Sequence, residues 1–171
     1  ILFVIGSKIV IPAGIIPLTL QTMVVIIAGM LLKPKYIWVS YGLFFLMGLL
    51  GFPVFANGGG IAYVLQPSFG FLLSFPIAAS FISIMRNKLH TTSFLANFII
   101  CMIGLFIIYT IGCIYMYGIL NFYMGAAKNM FSVIAMGAIP FMISDTCSIA
   151  VGCFCALRLA HIPAIKQTLC P

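Results

Sequence analysis

The sequence predicts an all-α membrane protein: a bundle of about six transmembrane helices with Gly/Pro-rich outer loops. Apolar residues make up 64% of its 171 residues and charged residues 5%, and the mean hydropathy is +1.31. A soluble domain carries roughly a quarter charged residues, so this composition cannot cover a surface facing water. Spans of about 20 residues, six of them, would use most of the chain. Residues 1–171 therefore read as a single transmembrane domain. The third observation is that short clusters of Pro, Gly and Lys/Arg punctuate the long apolar runs.

Taken in order, Ile1 to Ile11 reads as the end of a truncated first helix, stopped at Pro12 and without a signal-peptide pattern. Pro12, Gly14 and Pro17 make an irregular connection. A second span runs from Leu18 to Leu32 and closes at Lys33-Pro34-Lys35. The third covers Tyr36 to Phe52. Phe52 to Gly70 holds three consecutive glycines, two prolines and a polar centre. Such backbone is tolerated at membrane depth only where protein buries it or it lines a cavity, which makes this segment the first pointer to a site. Phe71 to Met85 forms the fourth span, followed by Arg86, Lys88 and His90, and Phe94 to Leu120 forms the fifth. Pro140 divides the remainder into a short outer helix, Phe131 to Ile139, and a sixth span, Phe141 to Ala160.

Lys33, Lys35, Arg86, Lys88, Arg158 and Lys166 fall on one side of these spans, and Lys8 and Lys128 on the other. The positive-inside rule then puts both termini in the cytoplasm, in a multi-pass protein of the cell membrane whose Gly/Pro-rich connections face outward. Scattered between apolar runs, the eight basic residues form no stripe for nucleic acid, so lipid is the expected surroundings. The chain has no GxxxxGK[ST] phosphate loop. One acid and two displaced histidines, His90 and His161, build no catalytic triad or metal site, and an enzyme is not expected. Six cysteines without a CxxC pair read as buried small hydrophobes.

Asp145 is the only acidic residue. A carboxylate inside a span is costly and usually marks function or a buried ion pair. At the outer start of the sixth span it reads either as a helix-start cap or as a ligand contact, and the two are compatible. Ser144, Ser148, Gly152, Ala156 and Ala160 form a small-residue stripe suited to close helix packing, with Ser148 also a candidate to line a pocket beside Asp145. Lys8 is either a snorkelling lysine or a cation for a substrate carboxylate or for Asp145. Asn57, Tyr63 and Gln66 offer hydrogen-bonding groups in the Gly-rich loop. Tyr115, Tyr117 and Asn121 end the fifth span on the same side, where an interfacial aromatic belt explains the tyrosines as well as ligand contact does.

The runs SKIVIPAGIIPLTLQTMVVIIAGMLLKPKY, GLLGFPVFANGGGIAYVLQPSFGFLLSF and GAIPFMISD resemble, in order and spacing, the BioY biotin transporters. Those are the substrate-binding S components of energy-coupling factor transporters. The resemblance implies a six-helix bundle with an outward pocket covered by the loops after the first and third helices. Its last-helix pattern is similar to P-G-D-x-x-K, with Asp145 at the acid, Ser148 at the lysine and Ser144 where glycine is common; Lys8 is then the candidate replacement charge. The implied ligand is biotin, with no cofactor in this chain. The implied partners are a transmembrane coupling subunit and two ATPase subunits that hydrolyse ATP. Asp145 would accept from the ureido N–H groups, Gln66 or Asn57 would donate to the ureido oxygen, and Tyr63 would pack on the rings. Another vitamin-like solute, or a membrane scaffold that transports nothing, are the alternative readings.

Overall fold

The computed structural model describes residues 1–11, 18–89 and 93–159. Pro12, Gly14, Pro17, His90, Ala160, His161, Lys166 and Cys170 lie outside the described residues. Seven helices follow in order: α1 (Leu2–Lys8), α2 (Gln21–Leu31), α3 (Pro34–Leu49), α4 (Phe69–Leu89), α5 (Phe94–Gly118), α6 (Met130–Gly137) and α7 (Ile139–Leu159). A two-residue antiparallel pair, β1 (Val10–Ile11) with β2 (Leu18–Thr19), closes the first connection. This places the end of α1 beside the start of α2.

A helix occupies each of the six expected span positions, but their lengths differ. By length and composition, α4, α7 and α5 with its extension to Tyr123 are long and apolar enough to cross a membrane. At 1.5 Å per residue a 21-residue helix covers about 32 Å, against about 16 Å for the 11 residues of α2. The last break also shifts from its expected place. It falls at Ala138, and Pro140 sits in the first turn of α7, where its missing N–H costs nothing.

Pro76 lies inside α4 without ending it. Proline cannot donate to the carbonyl four residues back, which leaves the Leu72 oxygen unpaired within the helix. The Tyr41 hydroxyl of α3 donates to that oxygen at 2.8 Å, and Tyr41 is buried. A neighbouring side chain thus satisfies the freed group, as membrane depth requires.

Two packed regions fill the bundle. Near one end an aromatic cluster joins Phe44, Phe55, Tyr63, Phe69 and Phe75; toward the other, Ile26, Ile82, Leu105, Ile149 and Cys153 pack between α2, α4, α5 and α7. Three members of the small-residue stripe of α7 pack inside the bundle: Ser148, Gly152 and Ala156 are buried, and Gly152 faces Ile26 of α2, whereas Ser144 is half-buried. Of the cysteines, Cys101, Cys113 and Cys153 are buried, whereas Cys147 is exposed. The Cys153 and Cys101 sulfurs meet at 3.5 Å across α5 and α7. At the basic end, Ser83 donates to the Leu32 carbonyl at 2.7 Å and Arg86 donates to the Met30 carbonyl. Those are unpaired carbonyls at the C-terminus of α2, where donors and positive charge stabilise a helix. Leu43, Leu46, Phe106, Ile114, Ile143 and Phe154 point outward, an apolar surface suited to lipid rather than water.

Candidate functional site

At the end of the bundle away from Arg86 and Arg158, α2, α4, α5 and α7 diverge around a cavity. It encloses about 570 Å³ of space, counted out to its open mouth. Thr19 lines it from β2, Gln21 and Thr22 from the start of α2, Phe71, Leu72 and Phe75 from α4, and Ile108 and Tyr109 from α5. Gly137, Phe141 and Asp145 complete the far wall, and Ala56, Tyr63 and Ser68 come from the Gly-rich segment and its exit. A mostly apolar hollow with a few aimed polar groups is the usual design for a small-molecule site. Among the described residues no Lys or Arg lines it.

Asp145 is 7% exposed and lies in the second turn of α7, beyond the N–H groups a cap would satisfy. The reading of Asp145 as a helix-start cap is corrected accordingly. Its carboxylate is held instead by neighbouring helices. The Tyr109 hydroxyl donates to Oδ2 at 2.8 Å, and Thr22 lines the same cavity. An ionised carboxylate offers about four lone-pair positions. The bond from Tyr109 leaves acceptor capacity for a ligand.

The Gly-rich segment is ordered by its backbone. Gly58 and Gly60 take φ of 112° and 107°, which an L side chain rarely adopts. The buried Phe55 ring sits 5.3 Å from Phe44 and 4.6 Å from Tyr63, directly over Gly48, where a Cβ would overlap it. Ser7 donates to the Val54 carbonyl at 2.5 Å and Lys8 Nζ to the Phe55 carbonyl at 2.8 Å. Farther on, Tyr115 donates to the Val64 carbonyl at 2.5 Å. Anchored at both ends, the segment delivers the Tyr63 side chain, 5% exposed, into the cavity wall.

Of the residues singled out from sequence, Asp145 and Tyr63 come together in this lining. The others lie elsewhere. Asn57 is exposed and Gln66 half-buried, both outside the lining. Asn121 donates to the Tyr117 carbonyl at 3.1 Å and the Lys128 carbonyl at 2.9 Å, tying down the turn after α5. Tyr117 is half-buried outside the lining, and Ser148 is buried one turn below Asp145. Sequence reasoning passed over Gln21, Thr22, Ser68 and Tyr109. A signal existed for the first two, adjacent polar residues opening an apolar helix, and for Tyr109, a phenol amid the apolar middle of α5.

Gln21 has a further property. Its side chain is 3% exposed, and its amide nitrogen has no hydrogen-bond partner among the described residues. Most buried polar groups are paired, so an orphaned donor on a cavity wall calls for an explanation.

Comparison with known proteins bears on the same region. The family model described as BioY family matches residues 1–164. The chain belongs to the BioY family. A "Probable biotin transporter BioY" of Lysinibacillus sphaericus is 35% identical over 92% of this chain and 81% of its own length. Another protein of that description, from Pyrococcus horikoshii, is 40% identical over 58% of this chain, a match spanning 63% of the relative. Among solved structures, "Crystal structure at 2.1 A of the S-component for biotin from an ECF-type ABC transporter" aligns with a TM-score of 0.86. That alignment has 24% identity and covers 99% of this chain and 90% of the other. At that identity the match shows a shared fold.

Proposed function

We propose that this chain binds biotin in the cavity at Asp145 and carries it across the cell membrane as the S component of an energy-coupling factor transporter. The observation that carries the proposal is a single buried carboxylate, held by Tyr109 on the wall of an apolar hollow whose lining holds no basic residue among the described ones. Biotin's ureido ring presents two N–H donors and one carbonyl acceptor, and its thiophane ring and chain are apolar. Asp145 accepts from the ureido N–H groups in charge-assisted bonds. Tyr63, Phe71 and Phe75 pack on the rings, and the tail runs toward the mouth. The relatives described as biotin transporters support this reading.

Energy comes from partners: a transmembrane coupling subunit and two cytoplasmic ATPases. The cavity faces outward and both termini lie in the cytoplasm, because Lys33, Lys35, Arg86, Lys88 and Arg158 gather at the opposite end. Mass analysis of small molecules released from the purified protein, followed by titration with biotin, tests the assignment. Biotin co-purifying and binding tightly is the expected result. A different solute, or none and no binding on titration, would overturn it.

A further inference from the structure

The lining holds a second polar group that no role so far uses. Gln21 sits at the first position of α2, 97% withdrawn from solvent, with a carboxamide nitrogen that has no hydrogen-bond partner among the described residues. A buried amide donor left unpaired is expensive, and the cost is recovered when an acceptor arrives. Thr22, its neighbour in sequence, lines the same cavity as Asp145, and α2 packs on α7, so Gln21 and Asp145 serve one cavity from facing helices. Asp145 offers only acceptors. A ligand held by it must present donors, and a cyclic urea carries its acceptor oxygen on the same small ring.

We infer that Gln21 is the donor that grips the carbonyl oxygen of the ligand's urea ring, and that with Asp145 it selects a ring with N–H donors on one edge and an acceptor at the carbonyl. This rests on the biotin reading and deepens it. It also moves the carbonyl contact from Asn57 and Gln66, which lie outside the lining, to Gln21. The carboxamide can rotate to present either edge, so the native protein tolerates a donor or an acceptor opposite it but binds best when its N–H is used. A carboxylate at the same position offers acceptors alone.

The test compares biotin with 2-iminobiotin, in which a cyclic guanidinium replaces the urea and a donor stands where the carbonyl acceptor was. Both are titrated calorimetrically into purified parent, Gln21→Glu and Gln21→Met proteins. Gln21→Glu is expected to lose roughly 10- to 100-fold in biotin affinity while keeping or gaining affinity for 2-iminobiotin. Retained 2-iminobiotin binding is itself the sign that this variant is folded. Gln21→Met removes a donor that has no partner among the described residues, so its melting temperature should hold or rise while biotin affinity drops by roughly tenfold or more. A merely structural glutamine would give the reverse, with lower thermal stability and unchanged affinity. Equal affinity changes for both ligands in Gln21→Glu, or parent-like biotin binding by Gln21→Met, would overturn the inference and leave the biotin assignment standing. Parent protein that binds neither ligand would overturn both.

Discussion

The Tyr109 hydroxyl donates to Asp145 Oδ2 at 2.8 Å across the α5–α7 interface. The only acid of the chain is thereby fixed in orientation by a phenol sequence reasoning did not single out. A carboxylate so held presents its remaining lone pairs in one direction, which lowers the ordering cost of binding.

Replacing Asp145 by Asn keeps the shape and removes the charge. One amide oxygen then faces two ureido N–H groups, and the amide nitrogen clashes with a donor. Biotin affinity should fall by roughly 100-fold or more, because hydrogen bonds to a charged group contribute about 1.5–3 kcal/mol each. Calorimetric titration checks this, and unchanged affinity would remove Asp145 from the site.

Tyr109→Phe is the milder change. The ring and its packing stay, and Asp145 loses one donor. Biotin affinity is expected to drop roughly five- to twentyfold, in line with about 1–2 kcal/mol for one hydrogen bond. The carboxyl stretch of Asp145, followed by infrared difference spectroscopy, should shift in the ligand-free variant. A shift absent from the spectrum would mean that the phenol does not bond the carboxyl.

Lys8 is held to the Phe55 carbonyl at 2.8 Å, and the cavity lining has no cation among the described residues. Masking the ligand's tail should therefore matter little: biotinamide is expected to bind within about fivefold of biotin, since exposed charge pairs contribute at most about 1 kcal/mol. A loss of 100-fold or more on amidation would show that a cation grips the tail. Lys8→Ala, losing that grip in parallel, would name it.

Tyr41→Phe isolates the repair at Pro76. It deletes the donor to the Leu72 carbonyl and leaves a buried acceptor unpaired. A destabilisation of about 1–3 kcal/mol is expected, seen as a lower melting temperature in detergent. Pro76→Ala in the Tyr41→Phe background should recover much of it, because Ala restores the helix bond. A double variant no more stable than Tyr41→Phe would contradict the account.

How far the sequence reaches can be judged residue by residue. Composition and the spacing of Lys33, Lys35, Arg86, Lys88 and Arg158 were enough for a membrane bundle, because hydropathy and charge act locally along the chain. The triple glycine marked its loop as special, since positive φ at Gly58 and Gly60 is a local backbone demand. Asp145 stood out by rarity alone.

Tertiary structure decided the partners. Tyr109 lies 36 residues from Asp145 and Tyr41 lies 31 from Leu72; only the packing of α5 on α7 and of α3 on α4 brings each pair together. Lys8 and Asn121, polar and rare, invited functional readings, yet their donors go to backbone carbonyls exposed by bends in the chain. Gln21 shows the converse: unremarkable by residue type, it becomes informative once burial leaves its amide without an acceptor among the described residues. Which polar groups an apolar interior leaves unpaired is a property of the assembled bundle, and the sequence alone does not reveal it.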